Sequence, residues 1–222
     1  MAKLYSFGCS FSDVDFKNAE IKGKNYPEHK LYTELLSDKL NLELVTDAYV
    51  GRGNNTILLN LAMSDFEDES KIIIQLTIFD RLELKKWFNR DYEPTNGYIT
   101  PFTHATLTHF TDDKDIKKEH LEDYLYFVTT FYDILQFNDL YNLNEIIKNK
   151  KNKCKNCKFY VITPLKIDTK KFLRFEHLID IVHINGFMNE KYEYWSYDDR
   201  HLSDKGNLTL FNDLLKIIEN EN

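Results

Sequence analysis

The chain is poor in glycine and proline, which supply only 7 and 4 of its 222 residues. Few turns are therefore marked by these residue types, whereas phenylalanine and tyrosine, with 16 and 14 residues, are abundant enough to fill much of the core or a pocket wall. Apolar residues make up 42% and charged residues 29%, a balance typical of a globular protein. We predict one domain over residues 1–222, because no repeat, linker or low-complexity tract divides the chain.

Long apolar runs, cysteines and basic patches are also scarce. No stretch approaches the roughly 18 apolar residues that span a bilayer, and residues 1–7 lack the apolar segment of a signal peptide. The cysteines, Cys9, Cys154 and Cys157, are too few for a disulfide framework, so we expect a cytoplasmic protein. The net charge of −7, with basic residues scattered among acidic ones, disfavours nucleic acid or a membrane as partner. The oligomeric state stays open.

The first 80 residues predict an α/β fold. Residues 3–7, 42–49 and 71–77 have the composition of strands, and apolar residues at helical spacing fill the segments between them. Asn54 or Asn55 is the predicted cap of the second helix. The resulting order of strand, helix, strand, helix, strand favours a parallel sheet with right-handed crossovers.

A mostly helical insertion is predicted at about residues 82–150, as a cap or lid on the domain. It starts with an irregular aromatic stretch and continues as a helical region over residues 116–148, broken near Phe137-Asn138. Two strands and a terminal helix follow: residues 159–162, residues 178–182, and a helix capped by Ser203 or Asp204.

Ser10 ends a Gly-Cys-Ser triplet just past the carboxyl end of the first predicted strand. Ligands of open parallel sheets bind at this edge, near the point where strand order reverses. A serine hydroxyl is a weak nucleophile until a base takes its proton, and a carboxylate orients that base. Asp198 and His201, in a loop before the terminal helix, can supply both groups, with Asp199 as the competing carboxylate. The alternative role of Ser10 is to cap a helix.

Three motifs together resemble the SGNH (GDSL-like) hydrolase family: the triplet ending at Ser10, Gly51 after the second strand, and Asp198-x-x-His201 before the last helix. The resemblance implies a flavodoxin-like three-layer α/β/α sandwich, whose central parallel sheet has the strand order 2-1-3-4-5. It implies Ser10 as nucleophile, His201 as base and Asp198 as its orienter. It also implies that the backbone N–H groups of Ser10 and Gly51 form the oxyanion hole. Members are mostly esterases, including lipid esterases and carbohydrate O-deacetylases.

The chain departs from the family pattern at two places. Cys9 stands where the name-giving motif has Asp, and residues 75–83 lack the Gly-x-Asn whose Asn side chain completes the oxyanion hole. Asn54, shortly after the second strand, can reach the same space and donate instead. Thr77 and Arg81 are further candidates.

Arg81 and Trp195 are the predicted substrate-binding residues. Arg81 lies at the carboxyl end of a strand, and its guanidinium suits a carboxylate or phosphate; an internal salt bridge is the alternative. Trp195 precedes the acid–base loop and offers a flat face to a sugar ring or acyl chain, or simply buries the insertion. No metal is predicted, because the Cys-x-x-Cys motif at residues 154–157 supplies two of the four ligands of a structural zinc site. We expect a surface turn with two reduced thiols there.

Three functions are compatible with these residues. The first is a serine esterase that needs no cofactor and acts through an acyl-enzyme on a small-molecule or carbohydrate ester, such as an O-acetyl group. The second is a catalytically weak or inactive module on the same fold that binds a glycan or small ligand, which the missing Asn favours. The third is a flavodoxin-like domain that binds phosphate at residues 8–12, and it leaves Asp198 and His201 without a role.

Overall fold

A parallel sheet between two layers of helices forms the centre of the molecule. The computed structural model describes residues 2–14, 30–49, 52–77, 82–83, 98–99, 118–167, 175–193 and 201–221. Its strands are β1 (Lys3–Gly8), β2 (Glu43–Ala48), β3 (Lys71–Gln75), β4 (Leu82–Glu83), β5 (Tyr98–Ile99), β6 (Lys158–Thr163) and β7 (Val182–Asn185). Its helices are α1 (Tyr32–Leu40), α2 (Asn54–Met63), α3 (Lys118–Lys153), α4 (Glu176–Ile179) and α5 (Asp204–Asn220).

The five-stranded sheet has the order β2-β1-β3-β6-β7, and all of its neighbouring strands are parallel. Counted among the strands of this sheet alone, the order is 2-1-3-4-5, so the predicted three-layer α/β fold is confirmed. The chain moves outward from β1 to β2 and then returns to place β3 on the other side of β1. In open α/β sheets, ligands bind at such a reversal, which here lies at the carboxyl ends of β1 and β3.

Each face of the sheet buries its own apolar cluster. Ile72 and Ile74 of β3 pack with residues of α2, α3 and α4, including Leu143. Ile73 lies in the other cluster, with residues of α1 and α5 that include Leu214. These three isoleucines are fully buried, because β3 is central and helices cover both of its faces.

Helix α3 runs unbroken from Lys118 to Lys153, so the predicted break near Phe137-Asn138 is wrong. Leu140 and Leu143 are fully buried just after this point, and their packing outweighs the low helix propensity of asparagine. The second half of α3 covers the sheet as part of the crossover from β3 to β6. Most of the remaining predicted insertion lies outside the described residues, so its role as a cap stays a prediction.

The helix starts and the last strand differ in part from the prediction. Gly53 precedes α2 as its N-cap, where Asn54 or Asn55 was predicted. Ser203 caps α5 as predicted. The last strand is β7, whereas residues 178–179 of the predicted strand lie in α4. A short apolar run suits a buried helical turn as well as a strand, and Leu178 is buried in such a turn.

Cys154 and Cys157 form a disulfide bond just after α3, so the predicted surface turn with two reduced thiols is wrong. Both residues are buried in the apolar cluster, and the turn brings their Cα atoms to 5.5 Å, a separation that a disulfide spans. These cysteines therefore give no support to a reducing compartment. The described residues contain no cluster of three or more potential metal ligands. None of the helices that the structure describes has the length and apolarity needed to cross a bilayer.

Gly206, in the first turn of α5, packs directly against the backbone of Glu193. A Cβ atom at Gly206 would lie 2.1 Å from the carbonyl oxygen of Glu193. Replacing an exposed helical glycine with alanine usually stabilises a protein by about 1 kcal/mol. We expect Gly206→Ala to destabilise this protein by about 1–3 kcal/mol instead, because the obstacle is backbone.

Urea denaturation of Gly206→Ala tests this expectation against Leu208→Ala, a change at a half-exposed position of the same helix. The control is expected to change the free energy of unfolding by less than about 0.5 kcal/mol. A Gly206→Ala variant as stable as the wild type would contradict the packing described above.

Candidate active site

Ser10 lies on a turn that immediately follows β1. The Ser12 N–H donates to the carbonyl of Cys9 at 2.9 Å and closes this turn. Ser10 itself is only 8% exposed, so it is buried at the carboxyl edge of the sheet and does not lie on an open surface. This is the edge at which α/β folds bind ligands.

His201 meets Ser10 across almost the whole length of the chain. The distance between His201 Nε2 and Ser10 Oγ is 2.7 Å, although 191 residues separate them in sequence. The Phe11 ring lies against the imidazole, with ring centroids 5.0 Å apart. Phe11 also packs edge-on against Phe187, with centroids 5.3 Å apart. In the tautomer that carries the proton on Nδ1, Nε2 accepts the serine proton. This pair therefore has the geometry of a nucleophile and its base.

Gln75 fixes the serine turn to the sheet. It is the last residue of β3 and is fully buried. Its Oε1 accepts a hydrogen bond from the Cys9 N–H at 3.0 Å and another from the Ser12 hydroxyl at 3.3 Å. The residues on either side of Ser10 are thus held by one oxygen atom, which restricts the directions available to the Ser10 side chain.

Gly8 leaves the space that this contact needs. A Cβ atom at Gly8 would lie 2.7 Å from Gln75 Oε1 and 2.9 Å from Ser12 Oγ. Any larger residue would separate the end of β1 from the Gln75 amide. The first glycine of the Gly-Cys-Ser triplet is therefore explained by the close approach of β3.

Side-chain contacts also fix Tyr49 and Arg52, the described residues nearest to Gly51 in sequence. Arg52 Nη1 donates to the backbone oxygen of Asp47 at 2.7 Å and to its carboxylate at 2.8 Å. The guanidinium lies over the Tyr49 ring, 4.3 Å from the centroid. Asn60 Nδ2 donates to the second carboxylate oxygen of Asp47 at 2.8 Å. The described residues next to Gly51 are thereby fixed to β2 and α2.

Asn54, predicted as a substitute oxyanion donor, is buried at the start of α2. Its Oδ1 accepts the Thr77 N–H at 2.8 Å, and its Nδ2 donates to Asp139 Oδ2 at 2.8 Å. The Nδ2 contact with the Thr77 carbonyl is longer, at 3.5 Å. One N–H of the amide is thus well paired and the other only weakly.

Burial raises the pKa of Asp139 from 3.8 to about 7, and the hydrogen bond from Asn54 opposes part of this rise. Asp139 lies on α3, so Asn54 connects that helix to the backbone that follows β3. The group that helps to position Asn54 therefore changes its charge near neutral pH.

Four predicted site residues lie outside the described part of the chain: Gly51, Arg81, Asp198 and Trp195. Their roles stay predictions. The structure brings Ser10 and His201 together and places Asn54 beside Thr77.

Sequence reasoning did not find Gln75, Arg52 or Asp139. A signal existed for Gln75, because a polar residue directly after a run of isoleucines needs a buried partner. Arg52 follows the predicted oxyanion glycine, and this position was its only signal. Nothing in the sequence pairs Asp139 with Asn54, since the two residues lie 85 positions apart.

No protein-family model matches the chain, and no curated protein matches it. A carbohydrate esterase, whose active site displays divergent catalytic and non-catalytic binding functions, aligns with a TM-score of 0.53 and 12% identity over 98% of this chain and 68% of that one. A protein assigned as a GDSL-like lipase from Bacteroides uniformis aligns with a TM-score of 0.51 and 10% identity over 98% and 96%. A family two carbohydrate esterase from Clostridium thermocellum, in complex with cellohexaose, aligns with a TM-score of 0.50 and 12% identity over 99% and 64%.

The strand order and these alignments agree. The chain has the fold of the SGNH (GDSL-like) hydrolases. At identities of 10–12% the alignments establish the fold alone. What this SGNH-fold protein does must therefore be argued from its own side chains.

Asp139 makes the stability of the protein depend on pH. A carboxyl whose pKa is higher in the folded than in the unfolded state stabilises the fold below its unfolded pKa, and this contribution is lost as pH rises through the folded pKa. We expect the contribution of Asp139 to be full below about pH 4 and lost by about pH 8. The size of this contribution follows from the rise of the pKa from 3.8 to about 7 and is at most about 4 kcal/mol.

Urea denaturation between pH 4 and pH 8 measures this contribution in the wild type and in Asp139→Asn. The free energy of unfolding of the variant, relative to the wild type, is expected to rise with pH. Asp133→Asn, a change at an exposed position of the same helix, is the matched control and should follow the wild type. Parallel profiles for Asp139→Asn and the wild type would contradict the prediction.

Proposed function

We propose that the protein is a serine esterase-type hydrolase with Ser10 as its nucleophile. The observation that carries this proposal is the 2.7 Å contact between Ser10 Oγ and His201 Nε2. A base at hydrogen-bond distance is what turns a serine hydroxyl into a nucleophile. Neither a helix-capping serine nor a phosphate-binding turn needs this contact.

The reaction proceeds through an acyl-enzyme. His201 accepts the Ser10 proton as Oγ attacks the ester carbonyl, and the tetrahedral intermediate collapses when the same proton passes to the leaving alcohol. His201 then takes a proton from water as the water attacks the acyl group, and it passes this proton to Ser10 Oγ when the bond between Oγ and the acyl carbon breaks and the acid is released. Asp198 is proposed to accept a hydrogen bond from Nδ1, which keeps Nε2 free to act as the base. No step needs a cofactor.

The proposed oxyanion hole uses the backbone N–H groups of Ser10 and Gly51. Such donors typically contribute about 3–4 kcal/mol each to transition-state stabilisation. Gln75 supports the Ser10 donor, because it holds Cys9 and Ser12. Arg52 supports the Gly51 donor, because its guanidinium is bonded to Asp47. Asn54 is proposed as a third donor, through the amide N–H whose contact with the Thr77 carbonyl is long, at 3.5 Å.

The proposed substrate is a small-molecule or carbohydrate ester with a short acyl group. Two of the aligned structures are carbohydrate esterases, which favours an O-acetylated sugar. Trp195 is proposed to contact a sugar ring or acyl chain, and Arg81 an anionic or polar group of the substrate.

A fluorophosphonate probe, which reacts with activated serines, tests the proposal. We expect the wild type to be labelled, Ser10→Ala not to be labelled, and His201→Ala to react at least about 1,000-fold more slowly because no base activates the hydroxyl. Hydrolysis of p-nitrophenyl acetate should fall in parallel.

Ser64→Ala is the matched control, since Ser64 caps the far end of α2 and its hydroxyl donates to the Asn60 carbonyl at 2.8 Å. It should react at the wild-type rate. A wild type that is neither labelled nor able to hydrolyse the ester would overturn the proposal, as would equal labelling of Ser10→Ala.

A non-catalytic module that binds a glycan or small ligand is the second candidate. Two observations favour it: residues 75–83 contain no asparagine, and Asn54 already uses one of its amide donors on Asp139. Glycan binding by an unlabelled wild type would support this candidate.

Exchanging Asn54 and Asp139 separates a catalytic from a structural role of the Asn54 amide. Asn54→Asp combined with Asp139→Asn restores a hydrogen bond between positions 54 and 139 in the reverse direction, and it keeps an acceptor for the Thr77 N–H. The exchange removes the N–H that Asn54 offers to an oxyanion. We expect the double variant to recover stability relative to Asn54→Asp, while kcat stays about 100-fold below the wild type.

Denaturation and p-nitrophenyl acetate kinetics provide the two measurements. Recovery of stability and of kcat together would show that Asn54 has only a structural role. The proposed hydrolase then has two oxyanion donors.

A further inference from the structure

We propose that Tyr32 is a positioning residue that joins the serine turn to the histidine loop and so sets the alignment of Ser10 with His201. This inference rests on the proposed function. Tyr32 is the first residue of α1 and is fully buried between the sheet and α5. It does not touch the reacting atoms, and it acts through two hydrogen bonds that lead in opposite directions.

The first hydrogen bond leads to the nucleophile. Tyr32 Oη lies 2.5 Å from Ser12 Oγ, and the Ser12 hydroxyl in turn donates to Gln75 Oε1 at 3.3 Å. Since Ser12 has a single hydroxyl proton, a bond from Ser12 to Gln75 requires Tyr32 to be the donor to Ser12. Tyr32, Ser12 and Gln75 thus form a directional chain that ends on the acceptor of the Cys9 N–H, next to Ser10.

The second hydrogen bond leads to the base. The Tyr32 N–H donates to Asn207 Oδ1 at 3.2 Å. Asn207 Nδ2 donates to the carbonyl oxygens of Leu202 and Ser203, each at 3.2 Å. Leu202 directly follows His201, so Asn207 connects Tyr32 to the backbone of the histidine loop.

The two hydrogen bonds start from different parts of Tyr32, the side-chain hydroxyl and the backbone N–H. A movement of α1 therefore shifts the serine turn and the histidine loop together. Burial raises the pKa of the Tyr32 phenol, which keeps its hydroxyl protonated and able to donate throughout the physiological range. Phenylalanine fits the same space but cannot donate, so the chain from Ser12 loses its support.

Tyr32→Phe tests the inference, with Tyr160→Phe as the matched control. Tyr160 is also fully buried in the cluster on this face, and its hydroxyl interacts with Glu221 at the C-terminal end of α5. We expect Tyr32→Phe to lower kcat for p-nitrophenyl acetate about tenfold and leave KM within about twofold of the wild type, because alignment and not binding is impaired. Tyr160→Phe should retain the wild-type values.

Ser12→Ala completes a double-mutant cycle. If Tyr32 acts through Ser12, adding Tyr32→Phe to Ser12→Ala should change kcat by less than about twofold. Additive losses in the double variant, or a Tyr32→Phe variant whose kcat equals that of Tyr160→Phe, would overturn the inference.

Hydrogen exchange of the Cys9 and Ser12 amides, followed by NMR, tests the same inference without using activity. We expect both amides to exchange faster in Tyr32→Phe than in Tyr160→Phe when the two variants are compared at equal thermal stability. Unchanged exchange would overturn the inference. Failure of the probe to label the wild type would instead overturn the proposed function, which the exchange rates do not measure.

Discussion

One side-chain oxygen, Gln75 Oε1, holds the end of β1 and the serine turn against β3. It pairs with the Cys9 N–H and the Ser12 hydroxyl at a fully buried position, where an unpaired amide oxygen would cost about 1–3 kcal/mol. Parallel strands cannot be joined by a tight hairpin, so the carboxyl ends of neighbouring strands need such tertiary contacts to fix their loops. The direction of Ser10 toward His201, and with it the proposed chemistry, depends on this contact.

The sheet and the central pair of residues could be predicted from local patterns. The run Ile72–Ile74 indicates a strand covered on both faces, and the alternation of strands and helices indicates a parallel sheet. The strand order was implied only by the resemblance to the SGNH family. Ser10 could be found because the carboxyl edge of a parallel sheet is the usual place for ligands. His201 could be paired with it because a hydroxyl nucleophile needs a base and the last loop returns to the same edge.

Features that depend on side-chain distances could not be predicted. Whether Cys154 bonds to Cys157 depends on where the turn after α3 places the two sulfur atoms, and sequence spacing does not give that geometry. The continuity of α3 past Asn138 depends on the burial of neighbouring leucines, which outweighs local propensity. The partners of Gln75 could not be predicted either, because Cys9 and Ser12 reach its side chain only when β1 and β3 lie side by side in the sheet.

The contact between Ser10 and His201 also means that the proposed reactivity of Ser10 can arise only late in synthesis and folding. It joins positions 191 residues apart, and α5 must pack on α1 before the histidine loop has a fixed place. Closing so large a loop has a high entropic cost, and no stabilising contact offsets it until α1 and α5 have docked. A growing chain on the ribosome therefore has Ser10 but no imidazole beside it, and the proposed nucleophile stays inactive until α5 has been made and packed.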